Sequence, residues 1–177
     1  MFEAKTKTGI ISSAQKREIG QKIKEIKTIG ADNYFINKIL DKNHNFYGAM
    51  AQDCLSKIKY TKIPFSIVVN TDTSNKPGHH WIAIYITKYK IEIFDSLGFN
   101  PNNWLIYPTH IIQFVQKYLY GRYLTISKPI QSPYSNLCGL YCIYFILHRQ
   151  HFSFRLIQNM FTDNYDYNDN LLCATFQ

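Results

Sequence analysis

The chain has 177 residues, 46% of them hydrophobic and 16% aromatic, which suits one folded domain spanning residues 1–177 and excludes a disordered chain. Twenty Lys and Arg against 12 Asp and Glu leave a formal charge of +8, so a polyanionic partner is expected, non-specific DNA first. No apolar run is long enough for a bilayer span and no signal-peptide apolar region is seen, so the expectation is an intracellular setting without membrane association.

Ser12 and Ser13 precede AQKREIGQKIKEIKTIG, in which Ile19, Ile23 and Ile26 recur at helical spacing before Gly30. This predicts an amphipathic helix with a basic outer face. The many Lys between Lys5 and Lys27 fit a solvated helix face as well as a nucleic-acid contact. FSIVVN (65–70) reads as a short apolar strand and NTDTSNKPGHH as a loop. WIAIYIT (81–87) and KIEIFDS (90–96) are separated by little more than a turn and read as a β-hairpin. SLGFNPNN is a turn-rich loop. A helix is expected after Pro108 and up to Gly121, then a strand in RYLTISKPI, a buried helix from Leu137, and SFRLIQNMF as a short last helix. Helices around central strands argue an α+β fold, a central mixed or antiparallel sheet flanked by helices.

The stretch QSPYSNLCGLYC, 131–142, sets a thiol where turn formers give way to an apolar helix. Asn136, or Ser135 before it, is a candidate N-cap. Cys138 then falls in the first helical turn, where backbone N–H groups and the positive end of the dipole favour a thiolate. Such a nucleophile needs a base, and the base needs an orienting acceptor. His80 opens one strand of the hairpin and Asp95 closes the other, so both arrive at one edge of the sheet. Gln131, at the end of a strand leading into the turn, can donate to an oxyanion without carrying a competing charge. Gly139 is expected to leave room for a substrate backbone.

The order His-Trp, acidic residue, Gln, Cys-Gly, carried by GHHW, IFDSLGF and QSPYSNLCGLYC, resembles the cysteine protease of adenoviruses and the related SUMO-deconjugating proteases. Ser12-Ser13-Ala14-Gln15, Tyr34-Phe35, Asp41-Lys42 and Asn70-Thr71 extend the resemblance to the adenovirus enzyme over roughly residues 12 to 150. It implies that His80 is the general base, Asp95 its orienter, Cys138 the nucleophile and Gln131 the oxyanion donor. His79 is passed over because the family's base directly precedes Trp. The implied activity is a cysteine endopeptidase cutting viral capsid or scaffold precursors at Gly-containing sites during virion maturation. The alternative is an isopeptidase for SUMO or ubiquitin-like modifiers. A small DNA virus, virophage or polinton-type element is the implied source, with the protein a monomer acting in the infected cell and carried in the virion. A disulfide-tethered peptide activator is not expected, because no Cys falls at Arg122-Tyr123-Leu124.

The four cysteines, 54, 138, 142 and 173, form no disulfide pattern and are expected as free thiols. A zinc site on Cys138 and Cys142 with His79 or His80 is set aside, since Cys142 sits in a continuous apolar run and reads as core. A redox role fails because C-x-x-x-C is not C-x-x-C. No metal and no cofactor are expected. A non-enzymatic nucleic-acid-binding module would use the charge but leaves the His, Asp, Gln and Cys unexplained.

Overall fold

The computed structural model describes residues 10–59, 62–98 and 104–177. Lys5 and the end of the SLGFNPNN loop, 99–103, lie outside the described residues.

Helix α1, Ser13–Ile29, starts as its sequence dictates: Ser12 and Gln15 form a reciprocal capping box, and Ile19, Ile23 and Ile26 are buried. Gly30 ends it at φ 83°, a left-handed backbone that favours glycine. Asp32 caps α2, Asn33–Leu40, by accepting from the Phe35 N–H at 2.7 Å. Five strands follow: β1 (Phe46–Ala51), β2 (Phe65–Asn70), β3 (Trp81–Ile86), β4 (Lys90–Phe94) and, after α3 (Thr109–Leu119), β5 (Tyr123–Ile126). They pair in chain order, with β1 on β2 and β4 on β5 parallel and the two inner pairs antiparallel. The sheet is therefore mixed, and the β3–β4 hairpin lies at its centre beside β2.

Every residue of β2 and β3 is buried, which explains why both read as unbroken apolar runs instead of alternating. On one face Ile67, Val69, Ile82, Ile84 and Ile93 meet α3 through Ile111, Phe114 and Val115. On the other, Val68, Ala83, Tyr85 and Phe94 meet α4, Cys138–Arg149. That helix is buried from Cys138 to His148, and Phe145 stacks on Phe94 with ring centroids 4.5 Å apart. A helix apolar all round belongs in the middle of a layer, and α1, α2, α5 (Phe154–Gln158) and α6 (Tyr165–Thr175) cover its far side. At its C-terminal end Arg149 binds Glu92 of β4 through two nitrogens, at 2.6 and 3.1 Å, with its guanidinium 4.8 Å above the Tyr85 ring. This pair fixes the axial position of α4, and so of Cys138 at its other end.

SFRLIQNMF is not the last helix. Asn164 caps α6, whose Leu172 and Cys173 are buried. Its first two turns, YDYNDN, carry too few apolar residues to show a helical period. Two further elements, α2 and β1, also escaped the sequence pattern. The first is short, and β1 is interrupted by Gly48 at a break in its register with β2.

Candidate active site

His80 sits just before β3, and its carbonyl accepts from the Thr71 N–H at 2.8 Å, which ties it to the end of β2. Gly78, at φ 89°, makes the turn into it, and a Cβ there would stand 2.7 Å from the Asn70 amide nitrogen. Asp95 directly follows β4. Continuing the register Ala83↔Phe94 sets Asp95 opposite Ile82, two residues from His80, which makes His80 and Asp95 diagonal neighbours. The His80 Nε2 lies 2.7 Å from Asp95 Oδ1.

Asp95 has no exposed surface, and its charge is met from several sides. Oδ1 also accepts from the Leu97 N–H at 3.0 Å, and Oδ2 accepts from the Tyr107 hydroxyl at 2.9 Å. Its backbone is held by Ser127, whose Oγ accepts from the Asp95 N–H and donates to the Asp95 carbonyl. These contacts fix the carboxylate before any substrate arrives. Burial, followed by the Asp95 charge and hydrogen bond, pushes the Tyr107 phenol far above its ordinary range, so it stays a donor. Tyr107, Ser96 and Ser127 gave no signal in sequence, because a single Tyr or Ser at the end of an element carries no pattern of its own.

Cys138 is the first residue of α4 and is 7% exposed. Its thiol lines the same groove as the His80 ring and is one of the groups that act on that ring's charge. With Nε2 committed to Asp95, Nδ1 is the ring nitrogen that serves Cys138. Burial alone would hold His80 neutral. The hydrogen bond to Asp95 and its charge, then the neighbouring Cys138, outweigh it and raise the imidazole from 6.5 to about 9. The ring is therefore a cation at neutral pH, poised to pair with a thiolate.

Neither expected N-cap caps α4. The residue at that position is Leu137, without a side-chain bond, and Asn136 donates instead to the Thr28 and Lys27 carbonyls at the end of α1, at 2.9 and 3.4 Å. The first-turn N–H groups of α4 thus keep no side-chain cap and are left for an anion. Gly139 also plays another part than expected. A Cβ on it would lie 2.8 Å from Ala31 Cβ and 3.4 Å from both Ile36 Cδ1 and Trp81 Cδ1. The missing side chain lets α4 close on Ala31 and Trp81, whose indole N–H donates to the Ala31 carbonyl at 2.8 Å; the space is filled by the protein, not kept for substrate.

Gln131 lies beyond the end of β5, in the segment that runs to α4, rather than at a strand end. Its backbone N–H donates to the Ser96 carbonyl at 2.9 Å, and its Oε1 accepts from Ser96 Oγ at 2.6 Å. Since Ser96 adjoins Asp95, the loop that positions the acid also positions the amide. His80, Gln131 and Cys138 line one groove of about 650 Å³, together with Gly30, Ala31 and Asp32 and residues of the 72–79 loop. His79 lines the same groove at its exposed rim, where it is bonded to Asp72 and not to Asp95. Among the described residues no three His, Cys, Asp or Glu side chains are grouped as a metal site, and no helix is long and apolar enough to cross a membrane. Cys142 is fully buried, and burial pushes its thiol well above the usual range, as suits a core residue.

A buried thiol at a helix N-terminus, an imidazole between it and a buried carboxylate, and an amide on the same wall can together carry out acyl transfer. Comparison with known proteins agrees in kind. The model of the adenovirus endoprotease family matches residues 46–168, well over half of the chain. A protease of Bovine adenovirus C serotype 10 is 33% identical over 92 residues, and the chain spans only 45% of that relative's length, with 45% of the chain itself aligned. Among solved structures, the ASFV pS273R protease superposes with a TM-score of 0.53 at 14% identity, covering 99% of this chain and 94% of that one, which shows a shared fold. The SUMO protease Ulp1 gives a TM-score of 0.35 at 19% identity, over 95% of this chain and 77% of that one.

Proposed function

The chain belongs to the adenovirus endoprotease family, and from that membership and the site we propose that it is a cysteine endopeptidase that processes viral capsid or scaffold precursors at Gly-containing sites during virion maturation. The observation that carries the reading is the His80 ring, bonded to the buried Asp95 through Nε2 and lining one open groove with Cys138 and Gln131.

In this reading the Cys138 thiolate attacks the scissile carbonyl carbon and its former proton rests on His80. The tetrahedral oxyanion takes hydrogen bonds from the Cys138 backbone N–H and from the Gln131 amide. Collapse breaks the C–N bond, and His80 gives its proton to the departing amine, leaving a thioester. A water, deprotonated by His80, then attacks the thioester. The acid is released, and the proton on His80 balances the returning thiolate. Asp95 holds the Nε2–H throughout, so the same nitrogen always faces the sulfur. An endopeptidase requires an extended chain to run past the thiol, and a groove of this size, open to solvent, suits that.

The basic face of α1 supports a second element of the proposal, that non-specific DNA is a partner: Lys16, Arg17, Lys24 and Lys27 are all exposed.

The test is to incubate the protein with capsid precursors encoded by the same genome and, separately, with a SUMO-like fusion, then sequence the new N-termini. Cleavage of the precursors after a Gly-containing stretch, absent with Cys138→Ala, is the expected result. Cleavage of the fusion alone transfers the activity to modifier removal, and equal cleavage by Cys138→Ala ends the proposal.

A further inference from the structure

The turn that starts at Asp95 and the segment 127–131 lie side by side and are fastened along their length. Ser127 Oγ bonds both backbone groups of Asp95, at 2.7 and 2.6 Å. A Cβ on Gly98 would stand 2.2 Å from the Pro129 nitrogen, so the two backbones pass in close contact there. The Ser96 carbonyl accepts from the N–H groups of Ile130 and Gln131, at 2.8 and 2.9 Å. The Ile130 carbonyl in turn accepts from the Asn168 amide at 2.9 Å and from the Tyr141 hydroxyl at 3.3 Å. The backbone at Gln131 is therefore held by groups other than the Ser96 side chain, which leaves that side chain a separate task.

Ser96 has no exposed surface, and its hydroxyl donates to Gln131 Oε1 at 2.6 Å. At the other end of the amide, Nε2 donates to the Ser135 carbonyl at 2.8 Å and to the Ser135 Oγ at 3.1 Å. A carbonyl can only accept, so nitrogen must face Ser135 and oxygen must face Ser96. Turned over, the amide would set two acceptors, Oε1 and the Ser135 carbonyl, against each other. Both acceptors of Nε2 sit on one residue, so a single amide hydrogen can serve them and leave the second for the groove, which Gln131 lines. Gln131 is only 2% exposed. A buried acceptor without a donor is unfavourable, so without the Ser96 hydroxyl the amide would turn about its terminal bond to find one, and the nitrogen would turn with it.

We propose that Ser96 is a positioning residue for the oxyanion donor: its hydroxyl fixes the rotation of the Gln131 amide and so aims Nε2 at the groove. Two neighbours in sequence then set two parts of the chemistry, Asp95 the ring of His80 and Ser96 the amide of Gln131. The inference rests on the oxyanion role given to Gln131 above.

The experiment is a double-mutant cycle on the full chain, with an internally quenched peptide carrying two Gly before the scissile bond as probe. Ser96→Ala removes the hydroxyl and keeps both bonds to the Ser96 carbonyl. Removing a whole oxyanion donor costs about 10²–10³ in kcat elsewhere; Gln131→Ala is expected in that range, and Ser96→Ala, which only frees the donor to turn, at roughly ten-fold with KM within about two-fold. In the Gln131→Ala background, adding Ser96→Ala should cost less than about two-fold, because the group it positions is gone. An undiminished loss in that background means that Ser96 acts on the fold, and overturns the proposal. So does a wild-type kcat for Ser96→Ala, or a rise in KM alone. The alkaline limb of its pH profile should stay in place, since Asp95 and His80 are untouched; a limb that moves shows Ser96 acting through the acid and also overturns the proposal. If Ser96→Ala does not fold, Ser96→Cys replaces it, because a thiol fills the space but donates weakly. A kcat loss of a few-fold that vanishes without Gln131 then supports the link, and no loss removes it. A wild-type kcat for Gln131→Ala with an inactive Cys138→Ala would sink the inference but keep the protease. Cleavage by Cys138→Ala would sink both. A second readout needs no substrate. The Gln131 side-chain amide NMR signals, assigned by their loss in Gln131→Ala, should exchange slowly with solvent in the wild type and quickly in the Ser96 variant. Equal exchange overturns the proposal.

Discussion

His80 Nε2 and Asp95 Oδ1 stand 2.7 Å apart, with the imidazole 10% exposed and the carboxylate not at all. This bond leaves Nδ1 as the ring nitrogen free to serve Cys138, and it is the largest influence lifting His80 to about 9.

The pH dependence follows in sign. A His whose folded value is raised from 6.5 to about 9 contributes stability in full below 6.5, and that contribution is lost as pH rises through about 9. In the proposed mechanism the same proton is given to the leaving amine, so kcat/KM should fall above about 9. Asp95→Asn takes away the strongest influence raising His80, and its alkaline limb should move to lower pH while kcat drops. Profiles of kcat/KM for the two proteins check this. An unmoved limb in Asp95→Asn would show that the carboxylate does not govern the ring.

Two thiols one helical turn apart should behave oppositely. Cys138 lines the groove beside a cationic ring, whereas Cys142 is enclosed in the core and its thiol is pushed up by burial. Iodoacetamide at neutral pH should label Cys138 first, and mass spectrometry of the digest identifies the site. Cys138→Ala should lose activity by several orders of magnitude with its melting temperature kept, as nucleophile removal does elsewhere. Cys142→Ala should stay active, with a stability loss of about 1 kcal/mol from the small void. Labelling that favours Cys142 contradicts the assignment.

Gly139 is a packing residue, which predicts a second-site rescue. A Cβ at 2.8 Å from Ala31 Cβ is closer than side chains sit, so Gly139→Ala should destabilise by about 1–3 kcal/mol, the usual range for overpacking. It should also lower kcat, since α4 carries Cys138 with it. Ala31→Gly removes the opposing atom, and the double variant should recover much of the melting temperature. If Gly139→Ala keeps its stability but weakens KM alone, the glycine serves the substrate after all.

How much of this was legible depended on whether a signal was local. The α1 capping box, the β3–β4 hairpin and the α4 thiol each occupy one short stretch, and the order of His80, Asp95, Gln131 and Cys138 could be read from motifs. The groups that hold them come from elsewhere. Tyr107 reaches Asp95 from just before α3, Ser127 from the end of β5, and Asn168 reaches the Ile130 carbonyl beside Gln131 from a helix whose polar first turns hid it. Asn136 illustrates the opposite error. It had the chemistry of an N-cap, but the end of α1 lies beside it and offered two carbonyls, so the side chain went there. Propensity named the groups able to bond, and tertiary contact chose their partners.

The charge of +8 leads to the last prediction. On α1 the two acids are already matched, Glu25 by Lys22 at 3.4 Å and Glu18 by Lys38, which leaves Lys16, Arg17, Lys24 and Lys27 as exposed cations on the helix. Exposed pairs of this kind add little to stability, and the same cations suit either a solvated face or the proposed polyanion, which binding can tell apart. Each phosphate neutralised steepens the fall of affinity with salt by about 0.9 in log–log slope. Duplex DNA labelled at one end and titrated at several salt concentrations should therefore bind weakly at physiological salt and tightly below it, without sequence preference. Arg17 and Lys24 are seven residues apart and share a helix face, so Arg17→Glu with Lys24→Glu should flatten the slope by at least about 0.9 for each phosphate that is no longer neutralised. Neither residue lines the groove, and cleavage of a short peptide in free solution should be unchanged. A slope that is the same in the variant places the DNA on another face, and no binding even at low salt removes DNA from the mechanism.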